Sequence, residues 1–225
     1  MDSGDQRKTP VRPLTWITAL VLSGISLAAA AALYSRLPGT IPVHWNIMGE
    51  ADGFGPRWMI WIFGSLPLFL SLLLRLLPEI DPRRRNYEKS GRAYNAVFLS
   101  IVAFMTMIHL MVLAVGIGIP LQADSMVKAG IGVLFLIIGS YLGTVRSTFF
   151  FGIRTPWTLS SEKVWHRTHR LGGRLFVLAG LVFLAAAFFR GPLSLYISLA
   201  AIIAAVIIPV VYSYLLYRRE KGETG

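Results

Sequence analysis

Six apolar runs, each close to the thickness of a bilayer's hydrocarbon core, decide what this chain can fold into. A transmembrane helix needs about 20 mostly apolar residues. The sequence offers runs at 14–35, 58–77, 94–119, 126–145, 175–189 and 193–217, the fifth short unless Gly172 and Gly173 are counted with it. In lipid every backbone polar group has to be satisfied within its own segment or barrel, so runs of this length read as helices. The expected architecture is an all-α polytopic membrane protein with six transmembrane helices. A short interfacial helix is expected in the loop between the fourth and fifth spans. Composition agrees: 15% of the residues are charged, against about 25% in soluble domains. The first run is preceded by basic residues and ends in alanines, as a signal peptide does. A signal's apolar core is only about 7 to 15 residues, so a retained span is expected.

The net charge of +11 is a matter of topology. Lys and Arg concentrate in 1–13, 78–92, 146–174 and the carboxyl tail, while the alternate loops are poor in them. By the positive-inside rule both termini are cytoplasmic, the 36–57 loop lies outside and the 150–174 segment inside. Because the cations adjoin apolar runs, no direct nucleic-acid partner is expected. The absence of Cys excludes disulfides, thiolate metal sites and thiol nucleophiles. No internal repeat is evident, which weighs against an inverted-repeat transporter.

Two polar segments carry the specific chemistry. In the inner one, 150–173, Gly152 and Pro156 interrupt regular structure, and Pro156 pushes Thr155 towards an extended conformation. Thr158, Ser160 and Ser161 offer N-cap oxygens ahead of Glu162. A short helix should follow and break at Gly172 and Gly173. On it Lys163, Arg167, Arg170 and Arg174 form one stripe. Val164, Trp165, Thr168 and Leu171 lie opposite, with His166 and His169 on the boundary. A basic face against an apolar one suits a membrane interface, and a solvated loop helix is the alternative. His166 and His169 lack the metalloprotease spacing, and capping explains 160–163 better than a nucleophile motif does.

The outer loop, 36–57, contains a His-Trp-Asn triplet among prolines and glycines and reads as ordered. His44, Glu50 and Asp52 are metal-ligating types, yet turn chemistry by Asn46 and Asp52 accounts for them more simply, so no metal or cofactor is expected. Trp58 and Trp61 are placed as interface anchors, Pro67 as a kink, and Arg75 as a snorkelling cation. His109 and Arg75 are the ionisable groups inside spans. His109 is either a functional group or a packed histidine bonded to a neighbouring helix. With no Asp or Glu inside the runs there is no carboxylate relay, and no Gly-rich phosphate loop is present.

The outer loop resembles a small membrane domain of unknown function with the pattern Pro-x-His-Trp-Asn-x-x-Gly-x-x-Asp-Gly, here Pro42, His44, Trp45, Asn46, Gly49, Asp52 and Gly53. The inner segment resembles the SdpI family through Gly152, Ile153, Arg154, Thr155, Pro156 and Trp157, followed by Ser161, Trp165, His169, Gly172 and Gly173. The two in this order, among six spans, look like SdpI-type immunity proteins of bacteria. That resemblance implies three parts: a tail at 1–13, two spans with the outer loop at 14–77, and a four-span region at 78–225. It also implies a bacterial inner-membrane protein, not an enzyme, that protects its cell against a secreted antimicrobial peptide toxin. Its partners would be membrane lipids, a toxin on the outer face and a transcriptional repressor held at the inner face. The competing expectation is a small secondary transporter or intramembrane enzyme using His109 or the His166/His169 pair.

Overall fold

The structure is a computed structural model that describes residues 10–46 and 49–222. In chain order it comprises α1 (Pro13–Leu33), β1 (Thr40–Trp45), β2 (Ala51–Pro56), α2 (Met59–Ile80), α3 (Arg85–Lys89), α4 (Gly91–Gly116), α5 (Ala123–Leu142), α6 (Pro156–Ser160), α7 (Glu162–Ala186) and α8 (Pro192–Gly222). Among the described residues, six of these helices are long and apolar enough to cross a membrane: α1, α2, α4, α5, α7 and α8. The protein is therefore mostly helical, as the six runs imply. Most of the expected frayed tail, 1–13, lies outside the described residues.

The helices pack with their greasy residues outward. On α1 the buried positions are Thr15, Ala19, Ser23, Ser26 and Ala30, and on α2 they are Ile60, Gly64, Pro67, Ser71 and Pro78. Both sets recur at three- and four-residue steps, the spacing of one helix face. Leu14, Ile17, Val21, Phe69 and Leu72 are exposed. Lipid tails are as apolar as leucine, so burying leucine gains little in a membrane. Small residues that let backbones approach closely do more to join spans.

Helices α1, α2 and α4 pack on one another, α7 packs on both α5 and α8, and α4 meets α5 between the two groups. The closest approach joins α5 to α7. A Cβ built on Gly139 would lie 2.7 Å from the carbonyl oxygen of Gly173, and one on Gly180 would lie 2.8 Å from that of Gly132. The two glycine pairs sit seven residues apart on each helix and run in opposite senses. This is why Gly172 and Gly173 do not end a helix, as expected. Helix α7 is continuous from Glu162 to Ala186, so the amphipathic segment is the amino-terminal end of the fifth span. The cost of glycine within a helix is offset by packing that only glycine permits.

Two further departures concern the spans. The outer loop is ordered, as expected, and its order is that of a two-stranded antiparallel hairpin, β1 against β2, which the all-helical reading did not include. Lys128 of α5 is a buried ionisable group that joins His109 and Arg75 inside the spans. Its Nζ donates to Asp124 Oδ2 and to Ser194 Oγ, each at 2.6 Å. Helix α5 begins at Ala123, so Asp124 sits in its first turn and places a carboxylate at the span's end. The guanidinium of Arg75 lies 4.8 Å from the centre of the Trp16 ring. Trp58 and Trp61 are exposed at the start of α2.

Candidate functional site

The inner motif is a single hydrogen-bonded clasp. Thr155 is extended, as Pro156 requires, and caps α6 by accepting from the N–H of Thr158 at 3.1 Å. Thr158 Oγ1 reciprocates by accepting from the N–H of Thr155 at 2.8 Å. Ser161 then caps α7 by accepting from Val164 N–H. Two capped helices in succession fix the entry into the fifth span.

His169 closes the clasp. It was expected on a boundary but is fully buried, because one turn of α7 faces the 145–155 loop. Its Nδ1–H donates to the Trp165 carbonyl oxygen at 2.8 Å, and its Nε2 accepts from Ile153 N–H at 2.8 Å. A carbonyl can only accept and an amide can only donate, so these partners assign a neutral ring protonated on Nδ1. The ring stacks on Trp165 with centroids 3.9 Å apart, and the Trp165 indole N–H donates to Val145 O at 2.8 Å.

Two glycines sit close against their neighbours here, and the first is needed for its backbone as well. Gly152 has φ +117°, and a Cβ there would lie 2.5 Å from His169 Nε2. A Cβ on Gly172 would lie 2.5 Å from Ile153 Cδ1. Thr155 Oγ1 also meets Ser213 Oγ of α8 at 3.1 Å. Trp157 packs on Tyr214 of α8 with centroids 5.0 Å apart, and Arg154 donates to Phe149 O at 2.9 Å. Gly152, Arg154, Thr155, Pro156, Trp157, Trp165, His169 and Gly172 are thus brought together. His166 stands outside the clasp, beside Arg146 and Glu162, so the His166/His169 pair does not converge on one site.

Sequence reasoning missed the residue that ties this clasp to the preceding inner loop. Asp81 is buried at the end of α2. Its carboxylate accepts from Arg83 N–H at 2.7 Å, Tyr87 O–H at 2.8 Å, and the N–H groups of Phe149 and Phe150 at 2.8 and 3.1 Å. Arg83 adds a bond to Ser147 and one to Leu159 O. Burial, and next the bond to Asp81, push the Tyr87 hydroxyl pKa above its usual value. An Asp followed by Pro is an ordinary loop signal, and nothing local in the sequence says which distant amides it will bind.

At the opposite end the hairpin is docked on the bundle. His44 pairs with Gly53 across the strands, and a Cβ on Gly53 would lie 2.8 Å from His44 Cβ. His44 Nδ1 donates to Asp52 Oδ1 at 2.6 Å, with 70% of the His44 side chain exposed. Asp52 therefore binds the histidine rather than the turn amides it was expected to satisfy. Asn46 does serve the turn, its Oδ1 accepting from Glu50 N–H at 3.0 Å and its Nδ2 donating to Glu50 Oε2 at 3.2 Å. Gly49 takes φ +79° and lies against Asp124 at the start of α5. Trp45 is half-buried against a cluster containing Leu37, Ile41, Ile60, Val112 and Leu113. Among the described residues no three metal-ligating side chains are gathered, so His44, Glu50 and Asp52 do not form the weighed metal set.

Between the ends, His109 of α4 meets Ser26 of α1. The Ser26 hydroxyl donates to the Gly64 carbonyl of α2 at 3.0 Å, so its oxygen accepts from His109 Nδ1–H at 2.8 Å. This hydrogen-bond chain pins three spans together. His109 Nε2 is left buried with no partner among the described residues.

These features define a class: a six-span membrane protein with a docked hairpin at one end and a clasped, basic loop system at the other. Residues 144–213 match the model of the SdpI/YfhL protein family, and residues 21–66 match a domain of unknown function, DUF1648. The chain is also similar to Immunity protein SdpI of Bacillus subtilis (strain 168), with 24% identity over 92% of this chain and 97% of that protein. The chain is thus similar to the SdpI/YfhL family over residues 144–213 and is a multi-pass protein of the bacterial cell membrane. No solved structure matches it.

Proposed function

We propose that this protein is a membrane immunity protein that protects its cell against a secreted antimicrobial peptide and does so by binding, without chemistry. The observation that carries this is the similarity to Immunity protein SdpI along nearly the whole of both chains. Charge supports the orientation. Among the described residues the hairpin end holds Arg36, Arg57, Lys128 and Arg190 as its cations. The other end holds Arg83, Arg84, Arg85, Lys89, Arg92, Arg146, Arg154 and the whole α7 stripe. The hairpin then faces outward and both termini inward.

A toxin arriving from outside meets the hairpin first. Its exposed His44, the exposed Phe54 and the neighbouring Trp58 give it an amphipathic surface. Trp45 holds that surface against the bundle. The clasp at the inner end joins α7 and α8 to the inner loops and provides the surface on which a cytoplasmic repressor would be held.

The test is survival of a sensitive bacterial strain under added toxin, with membrane abundance followed in parallel. His44→Ala combined with Phe54→Ala should abolish protection at normal abundance, since both side chains are exposed. Trp45→Ala should abolish it as well, by undocking the hairpin. A second reading rests on the unpartnered Nε2 of His109, which a transporter or enzyme would use. His109→Phe leaves protection intact on the binding reading. Protection lost with His109 but kept without His44 and Phe54 would favour the second reading.

A further inference from the structure

The α7 stripe is real: Lys163, Arg167, Arg170 and Arg174 are all exposed. Among the described residues the ion pairs are His44–Asp52, Arg84–Glu79, Lys128–Asp124 and His166–Glu162, so none of the four stripe cations has an acidic partner. Their depth can be read from α5. At about 1.5 Å per residue, its 20 residues span about the 30 Å of a hydrocarbon core. The end of α5 therefore lies at the headgroup boundary.

Arg170 is level with that end, since a Cβ on Gly143 would lie 3.6 Å from Arg170 Cα. Arg174 is one turn deeper, beside Gly173, which abuts Gly139. A cation one turn below the boundary reaches up along its own stem to the phosphates. The two arginines line a notch of about 310 Å³ between α5 and α7, floored by Gly139, Gly143 and Gly173 and reaching one turn deeper to Val177. The glycines that bring the helices together leave this notch. On the other side of the same ridge a notch of about 290 Å³ opens between α7 and α8, lined by Arg167, Arg170, Leu171, Arg174 and Tyr212 and so level with the cations.

We propose that Arg170 and Arg174 hold the phosphate of an anionic phospholipid in the leaflet at the basic end, with an acyl chain descending along the α5–α7 notch past Val177. Unpaired cations at headgroup depth call for an anion, and the α5–α7 notch beside them continues to Val177 towards the hydrocarbon, which suits a lipid rather than a soluble acidic protein. Arginine's fork matches phosphate oxygens in pairs. This site is independent of the immunity reading.

The full-length protein, purified in mild detergent, is offered equal amounts of phosphatidylglycerol and phosphatidylcholine, and the retained lipid is read by native mass spectrometry. Wild type should retain phosphatidylglycerol preferentially. Arg170→Gln with Arg174→Gln should lower that preference about thirtyfold, the usual worth of two cations at a membrane surface. Arg85→Gln with Lys89→Gln removes two exposed cations from the same end and should leave the preference unchanged, and Arg170→Lys with Arg174→Lys should keep most of it. Equal retention of both lipids by wild type overturns the site whether or not any variant folds. So does equal loss in the Arg85/Lys89 variant, or an unchanged preference in the Arg170/Arg174 glutamine variant, which would leave an acidic protein segment as the partner of the stripe.

Discussion

Replacing Gly152 by alanine should damage this protein more than any other single added methyl group in the inner loop. The new Cβ would lie 2.5 Å from His169 Nε2 and 3.0 Å from two atoms of the Trp165 ring. Ordinary contacts between such atoms are about 3.5 Å or longer. The ring has no free direction to retreat, because Trp165 stacks on it and the Trp165 carbonyl holds its Nδ1. Moving it breaks the bond to Ile153 N–H and leaves a buried donor and acceptor unsatisfied, at about 1–3 kcal/mol. A non-glycine residue at φ +117° adds about 1–3 kcal/mol of backbone strain. Together the two reach about 2–6 kcal/mol, a large part of the roughly 5–15 kcal/mol that holds a typical domain folded. The assay is thermal unfolding of the detergent-purified protein. Gly24→Ala serves as a control, because a Cβ on Gly24 meets nothing within 4 Å. Gly152→Ala should lower the midpoint by several degrees and Gly24→Ala should not. Combining Gly152→Ala with His169→Ala should cost less than the sum of the two, since the clashing ring is gone. A Gly152→Ala protein that melts with wild type would refute the clasp.

Gly173→Val should separate α5 from α7, because even its first carbon lies 2.7 Å from the Gly139 carbonyl oxygen; loss of the folded protein from membranes measures it, and normal abundance would refute close packing. Lys128→Met should destabilise by about 3–5 kcal/mol, as expected when a buried pair loses one partner, while Lys128→Met with Asp124→Leu should recover much of that loss in the same unfolding assay. Because the Tyr87 pKa is raised in the folded protein, its contribution to stability is fully present below the unfolded value of about 10 and is lost as pH rises beyond it. Tyr87→Phe should flatten that alkaline loss of stability, read as the unfolding midpoint against pH.

How much was legible in the sequence depends on the range of the interaction concerned. Run lengths give the six spans, since each helix satisfies its own backbone and needs no partner to be recognised. Loop charges and some caps are equally local: Ser161 caps as its position suggests, whereas the Thr155 cap of α6 was not anticipated, and the exposed face of the α7 stripe follows from its spacing. The long-range pairings were not legible. Gly172 and Gly173 look like a break and prove to be a contact surface, because a glycine's meaning depends on what approaches it, here Ile153 and Gly139. His169 looks like a boundary residue, yet burial came from the 145–155 loop folding back over α7. Asp81 and Lys128 look like residues of a loop and a span end, but their partners lie 68 and 66 positions away at Phe149 and Ser194. The sequence thus determined which segments enter the membrane, because transfer into lipid is a property of each segment alone. Only the tertiary structure decided which faces meet and which polar groups are satisfied, because those depend on atoms that the chain brings together only when it folds.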